Sequence, residues 1–367
     1  MNYKDIIIII LLLLVTYYNF INILKIYKNI KTKLYPEHHY KVESDMSLIK
    51  KEQKDFQSHI KNDMNKTIND KKLREILLYS LDCGKRVRPI ILISSYKQLV
   101  KTTTSPNYVT LAALSIEYFH SASLVIDDIM DDDDERRNKP SVHIKYGLTM
   151  AQLSSVILCA SAVQNLFSCL HELNIQHQDT NKNIPLILGN IISELIKDLS
   201  VGQYLDVTMP ADFNELGNAI NNSVKMGKLK TNVEDLIHKK TSSLFEFCFI
   251  MPWVLANYNK SDSEIEEGIK NMRYLARQFG LIFQISDDFE DVEKDSNKNG
   301  KNAVMNYVIH KGYYDAYKDY KKIVTKFNDM CIREGMHTNE IKQIITYLSA
   351  KVDVYYKNDK DKLESQV

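Results

Sequence analysis

An all-helical fold is what this 367-residue sequence predicts, on three observations. No stretch sustains the period-two alternation of a half-buried strand. Only 11 glycines and 7 prolines punctuate the chain, few for a fold built of many tight turns. Apolar residues recur instead at helical spacing: Met272, Leu275, Phe279, Ile282 and Phe289 step by three, four or seven and share one helix face. Hydrophobic residues make up 44% of the chain, enough for one large domain or two small ones. A net charge of +1 supplies no field towards nucleic acid, and no nucleic-acid partner is expected. The five cysteines are scattered and lack any CxxC or Cys/His spacing, so they read as reduced core residues of a cytosol-facing domain.

Taken in order, residues 6–24 (IIIIILLLLVTYYNFINIL) carry no charge between Asp5 and Lys25. Nineteen such residues lie within the ~17–25 that span a bilayer as a helix. A cleaved signal peptide and a buried core helix are the alternatives; no small-x-small cleavage site follows the apolar run. Lys25, Lys28, Lys31 and Lys33 follow the segment against Lys4 before it. That lysine excess predicts a single-pass anchor with the rest of the chain on the cytosolic side. Residues 1–34 therefore read as anchor and basic flank, 35–59 as a polar tether, 60–356 as the catalytic domain and 357–367 as a charged tail. Helices follow one another through that domain, with breaks expected at Pro89, Pro106, Pro140, Pro185, Pro210 and Pro252. The polar, Asn-rich residues 209–232 read as a long connection between helices.

Two acidic clusters carry the chemistry. In SASLVIDDIMDDDDERRNKPSVHIKYG (121–147) an apolar helical run ends in Asp127, Asp128 and Asp131, with Asp127 and Asp131 four apart and so on one face. Carboxylates crowded at a helix C-terminus repel one another and are disfavoured by the dipole unless a cation joins them. Hard oxygen donors of this kind suit Mg²⁺ shared with a substrate's phosphates. Alone, the stretch is equally a solvated acidic loop. FQISDDFED (283–291), about 160 residues on, repeats the spacing with Asp287, Asp288 and Asp291, and Gln284 stands one turn before. Two such helix ends are hard to assign to surface decoration and predict two walls of one metal cluster. Clustered cations surround them: Lys85, Arg86 and Arg88 before a helical run, Arg136-Arg137, Lys239-Lys240 with Thr241, and Gly300-Lys301. Singly these are solvated basic patches; with Mg²⁺ ligands they make a diphosphate site, Arg offering bidentate contacts and Lys a point charge. His120, seven residues before Asp127, lies nearly on the same face, where it is either part of that site or a core histidine satisfied by a carbonyl.

In this order and spacing the segments GKRVRP (84–89), EYFHSASLVIDDIMDDDDERR (117–137), GQYLD (202–206), KTSSLF (240–245) and FQISDDFED with Gly300-Lys301 resemble the trans-isoprenyl diphosphate synthases. The resemblance to this family of farnesyl, geranylgeranyl and longer polyprenyl diphosphate synthases covers about residues 60–320. It implies the isoprenoid synthase fold, a helical bundle around a deep central cavity, working as a homodimer. It implies head-to-tail condensation of isopentenyl diphosphate with an allylic prenyl diphosphate, dependent on Mg²⁺, with three ions per site. By resemblance Asp127, Asp128, Asp131, Asp287, Asp288 and Asp291 are the metal ligands, and the first three, Asp287 and Lys240 are catalytic. Arg136, Gln203, Lys240, Thr241, Gln284 and Lys301 would hold the allylic diphosphate; Lys85, Arg88, His120 and Arg137 would hold that of isopentenyl diphosphate.

Four departures from the family pattern stand out: Cys83 for a glycine, Ile126 for a frequent histidine, Asn138 for a glycine after the two arginines, and NAVMNYV after Lys301. None replaces an implied metal ligand. In this family the helix entering the first aspartates also lines the cavity for the growing tail. Ala122 and Ser123, five and four residues before Asp127, are small, so the cavity should run deeper, with Phe119 its candidate floor. Phe119 lies eight residues before Asp127, ~12 Å along a helix. That favours a product of geranylgeranyl length or longer. A class I terpene cyclase would lack GKRVRP and the second DDxxD, and a non-catalytic regulatory subunit would have lost acidic motifs that are intact here.

Overall fold

Helical periodicity becomes helix in nearly every place the pattern marks it. The computed structural model describes residues 44–82, 84–208, 235, 237–296 and 306–364. In chain order these form α1 (Ser47–Thr67), α2 (Lys71–Ser80), α3 (Val87–Val100) and α4 (Asn107–Met130). A two-stranded hairpin follows, β1 (Glu135–Arg136) and β2 (Lys139–Pro140), then α5 (Val142–Tyr146), α6 (Leu148–Gln176) and α7 (Ile184–Thr208). A π-turn, His238–Ser242, runs into α8 (Ser243–Ala256), and α9 (Asp262–Ser296), α10 (Tyr307–Lys311), α11 (Tyr313–Arg333) and α12 (Asn339–Glu364) complete the described chain. All of it belongs to one unit, residues 42–367.

α4 packs most extensively on α6, while α8 lies between α9 and α3 and is buried on almost every side. Phe245 and Phe249 of α8, Phe279 of α9 and Phe327 of α11 interlock, with ring centroids 4.8 Å apart for Phe245–Phe279 and 5.5 Å for Phe279–Phe327. Tilted aromatic pairs of this kind add about 0.5–1.5 kcal/mol each beyond area burial. The five residues read from the sequence as one face of α9 (Met272, Leu275, Phe279, Ile282 and Phe289) are all fully buried. This core fixes the acidic end of α4 and, inside α9 more than a turn before Ser296, the acidic stretch Asp287–Asp291. Cys169, Cys248 and Cys331 are buried free thiols and Cys159 is half-buried. α4 and α6 are also long and apolar enough to cross a membrane, but the window in α4 is mostly core.

The structure corrects three sequence expectations. Residues 47–59 are not tether: they open α1, whose Ile49, Phe56, Ile60 and Met64 are buried. The stripe steps by seven, four and four, but the intervening charges hid it. Residues 357–364 are helical, the last turns of α12 rather than a tail. A proline break fails at Pro252, which lies inside α8, whereas Pro89 and Pro185 sit in the first turns of α3 and α7, just after breaks. An interior proline costs about 3 kcal/mol, and burial of α8 all round outweighs it. The apolar segment 6–24, Cys83, Lys301 and residues 209–232 lie outside the described residues.

Candidate active site

The last turn of α4 carries Asp127 and Asp128, and Asp131 is its C-cap. Asp128 is buried, and burial pushes its carboxyl up against the counter-pull of Arg136. Arg136 Nε donates to Asp128 Oδ1 at 2.6 Å, and its Nη2 lies 3.4 Å from Asp127 Oδ2. The hairpin makes this contact possible. Glu135 pairs with Pro140 and Arg136 with Lys139, leaving Arg137 and Asn138 as a two-residue loop. Both have positive φ, +56° and +63°, as a type I′ turn demands of its central residues. Asparagine tolerates that region far better than most side chains, which explains Asn138 where a glycine is usual. Asp131 is exposed together with Asp132–Asp134.

On α9, Asp288 is buried and turned into the protein. One carboxylate oxygen accepts from Gln284 Nε2 at 2.8 Å and the other from the Tyr307 amide at 2.7 Å. Burial nevertheless pushes its pKa up to about 7. Each oxygen accepts one hydrogen bond, and through Tyr307 Asp288 braces α9 against α10. Asp287 faces outward, and Lys351 of α12 reaches its Oδ1 at 2.8 Å and also pairs with Glu290. Asp291 is half-buried on the same turn. Among the described residues no three carboxylate, imidazole or thiol side chains close into a ready-made metal cage.

The π-turn joins the two walls. Its Lys240 Nζ lies 3.8 Å from Asp127 Oδ1, while the next residue, Thr241, donates to Gln284 Oε1 at 2.7 Å and so connects to Asp288. π-helical turns recur at functional sites because the extra residue re-aims side chains. Close approach by α7 holds the turn in place: a Cβ on Gly202 would stand 2.7 Å from the Lys240 amide nitrogen. Beside it Gln203 has a buried Nε2 with no protein partner among the described residues.

The basic residues divide by burial. Arg86 is structural: its guanidinium is buried, paired with Glu117, and bonded to Gln57 Oε1 at 2.7 Å and to the Leu81 carbonyl. Lys85 is exposed. Arg88 stacks on the Phe245 ring, 4.4 Å from its centroid, and Arg88 Nη1 lies 3.1 Å from His120 Nε2. Burial, then Arg88, Arg137, Arg86 and Arg136 around it, push His120 well below the usual imidazole range. It is a neutral acceptor for Arg88 inside a basin of guanidinium groups. Arg136 and Arg137 also line a pocket with Tyr79, Asp82, Leu124 and Asp128 on the outer flank of the first motif. Sequence reasoning missed Lys351 and Gln57, which act from elements that carry no motif, and it gave no role to Glu117, Asn306 or Tyr307, although all three lie in segments it singled out.

Residues 70–311 match the family model described as polyprenyl synthetase. The chain belongs to that family. The trans-prenyltransferase of African swine fever virus (isolate Pig/Kenya/KEN-50/1950) is 30% identical over 260 residues, 68% of this chain and 70% of the viral protein. Geranylgeranyl pyrophosphate synthase 10, mitochondrial, of Arabidopsis thaliana is 33% identical over 249 residues, 66% of this chain and 64% of the plant protein. In fold, the chain is similar to a geranyltransferase from Helicobacter pylori solved in complex with magnesium and isoprenyl diphosphate. That match has a TM-score of 0.56 at 22% identity and covers 87% of this chain and 100% of the other. Membership makes the chain a prenyltransferase with the isoprenoid synthase fold.

Proposed function

We propose that this chain condenses isopentenyl diphosphate head to tail with an allylic prenyl diphosphate, making geranylgeranyl diphosphate or a longer product. One observation carries the reading: the π-turn brings Lys240 to Asp127 and Thr241 to Gln284, so two acidic motifs 160 residues apart converge on one cationic turn. The donor set fits Mg²⁺, since carboxylate oxygens are hard ligands and both Asp127 and Asp287 remain partly exposed. Asp127, Asp128 and Asp131 on one wall and Asp287, Asp288 and Asp291 on the other would hold it, with the allylic diphosphate between them. When bound, Mg²⁺ stabilises the negative charge that grows on the departing diphosphate.

The chain's own residues do the rest. Lys240 and Arg136 supply preorganised positive charge beside the leaving group. Gln203 offers its Nε2, which has no protein partner among the described residues, and Thr241 aligns Gln284. Neutral His120 holds Arg88 by accepting its hydrogen bond, and the Arg88 Nε, buried without a protein partner among the described residues, fits a second diphosphate, that of isopentenyl diphosphate. Small Ala122 and Ser123 leave depth for the growing tail, above Phe119, in a cavity whose dryness protects the allylic cation. A homodimer is part of the reading, as is a single-pass anchor at 6–24 that keeps the catalytic unit on the cytosolic side of a membrane. What supports the dimer is the face of α6, where Leu153, Val156, Val163 and Phe167 are exposed at steps of three, seven and four.

The test is elongation. The full chain in mild detergent, given Mg²⁺, labelled isopentenyl diphosphate and each allylic primer in turn, should yield products of geranylgeranyl length or longer by reversed-phase chromatography. No extension of any primer by cooperatively melting protein overturns the reading.

A further inference from the structure

Both acidic walls are neutralised by side-chain cations, but not by cations of the same kind. At the first wall Arg136 and Lys240 keep 33% and 32% of their side chains exposed, so each can turn to an incoming diphosphate. At the second wall Lys351 is 3% exposed and cannot. It reaches from the middle of α12 into the turn Asp287–Asp291, which holds four acids in five residues. There its ammonium touches Asp287 Oδ1 at 2.8 Å and pairs with Glu290 Oε2. A buried ammonium is costly unless fully paired, and these two carboxylates, three residues apart on α9, supply the pairing. Asp287 itself remains 37% exposed.

We infer that Lys351 is a resident counter-cation of the second acidic motif, holding its affinity for free divalent cations low, so that a divalent cation settles on that wall only together with a diphosphate. The inference rests on the magnesium reading of the site given above. The reason is Coulombic. A divalent ion approaching Asp287 meets a fixed positive charge on the same carboxylate, and at ~5 Å even a water-like dielectric makes that repulsion worth roughly tenfold in affinity. A bound diphosphate brings several negative charges and offsets it. Glu290, the middle acid of DDFED, then serves as the partner that keeps Lys351 in place.

The experiment titrates Mn²⁺ into the full chain, followed by electron paramagnetic resonance, with and without inorganic pyrophosphate as the probe. Wild type should bind Mn²⁺ weakly alone and much more tightly with pyrophosphate. Lys351→Gln and Lys351→Met should raise the affinity for Mn²⁺ alone by roughly tenfold, and lower the Mg²⁺ concentration for half-maximal turnover, while Lys351→Arg stays at wild type. A lysine that served packing alone would lower the melting temperature on substitution without tightening Mn²⁺. Unchanged or weaker Mn²⁺ binding by the neutral variants overturns the inference. So does wild-type protein that binds Mn²⁺ as tightly without pyrophosphate as with it, which needs no variant to fold. Wild type that binds no Mn²⁺ even with pyrophosphate overturns the magnesium reading itself.

Discussion

At the scale of single residues, burial separates side chains that the sequence lists as equals. Arg86 and Arg88 stand two apart in GKRVRP, yet Arg86 is spent on Glu117 and Gln57 while Arg88 faces His120. Asp287 and Asp288 are adjacent, yet one faces outward and the other braces Tyr307. Ala122, proposed above to help set product length, is also a packing residue. It is 1% exposed, and its carbonyl accepts from Ser155 Oγ of α6 at 3.0 Å. Ala122→Phe should shorten the product, and it should also cost about 1–3 kcal/mol by overfilling the α4–α6 seam. Product sizing and a thermal melt read the two effects separately. A normal product distribution from the variant would remove Ala122 as a determinant of chain length. The positions of these residues were legible from motif order. Their division of labour was not, because a motif fixes spacing and says nothing of which oxygen meets which partner.

At the scale of elements, the site depends on how closely α7 approaches the π-turn. Gly202 belongs to GQYLD, and an added Cβ would meet the Lys240 nitrogen at 2.7 Å and the Lys239 carbonyl carbon at 2.9 Å. Backbone atoms cannot step aside as a flexible side chain can, so Gly202→Ala should displace the turn that carries Lys240 and Thr241. Misplacement of that size lowers kcat roughly 10–100-fold. Gly189→Ala on the same helix, where a Cβ meets nothing within 4 Å, is the control and should leave turnover unchanged. Steady-state kinetics on the pair decide it; equal activity in both variants would mean the turn tolerates the shift. The helices α4 and α9 were readable from their three-and-four steps. The π-turn and the hairpin were not. A π-turn has no periodicity of its own in five residues, and the type I′ loop is built here from Arg137 and Asn138, a pair only half suited to it.

At the scale of the molecule, α6 presents an apolar stripe that the described unit leaves uncovered, with Val156 and Phe167 among its most exposed members. A second copy of the chain laid along this helix would bury it. Full-length protein in detergent should therefore run as a dimer by light scattering, and Val156→Glu with Phe167→Glu should give the monomer. A double variant that keeps the wild-type mass would exclude α6 as the interface. The ends of the catalytic unit were misjudged in the sequence for a single reason. α1 buries four side chains in twenty-one residues, and the last turns of α12 are dominated by charge, so composition there resembles a solvated tether even where the backbone is helical.

The sequence by itself determined the helical class, the family, and the two acidic motifs with their cations, because these are properties of spacing along one chain and spacing survives without coordinates. Only the tertiary structure decided what neutralises each wall. Lys351 lies 64 residues beyond Asp287 in an ordinary helical run, and no local pattern announces it. Electrostatic partners are chosen by distance through space, which falls within hydrogen-bonding reach only once α12 has packed against α9.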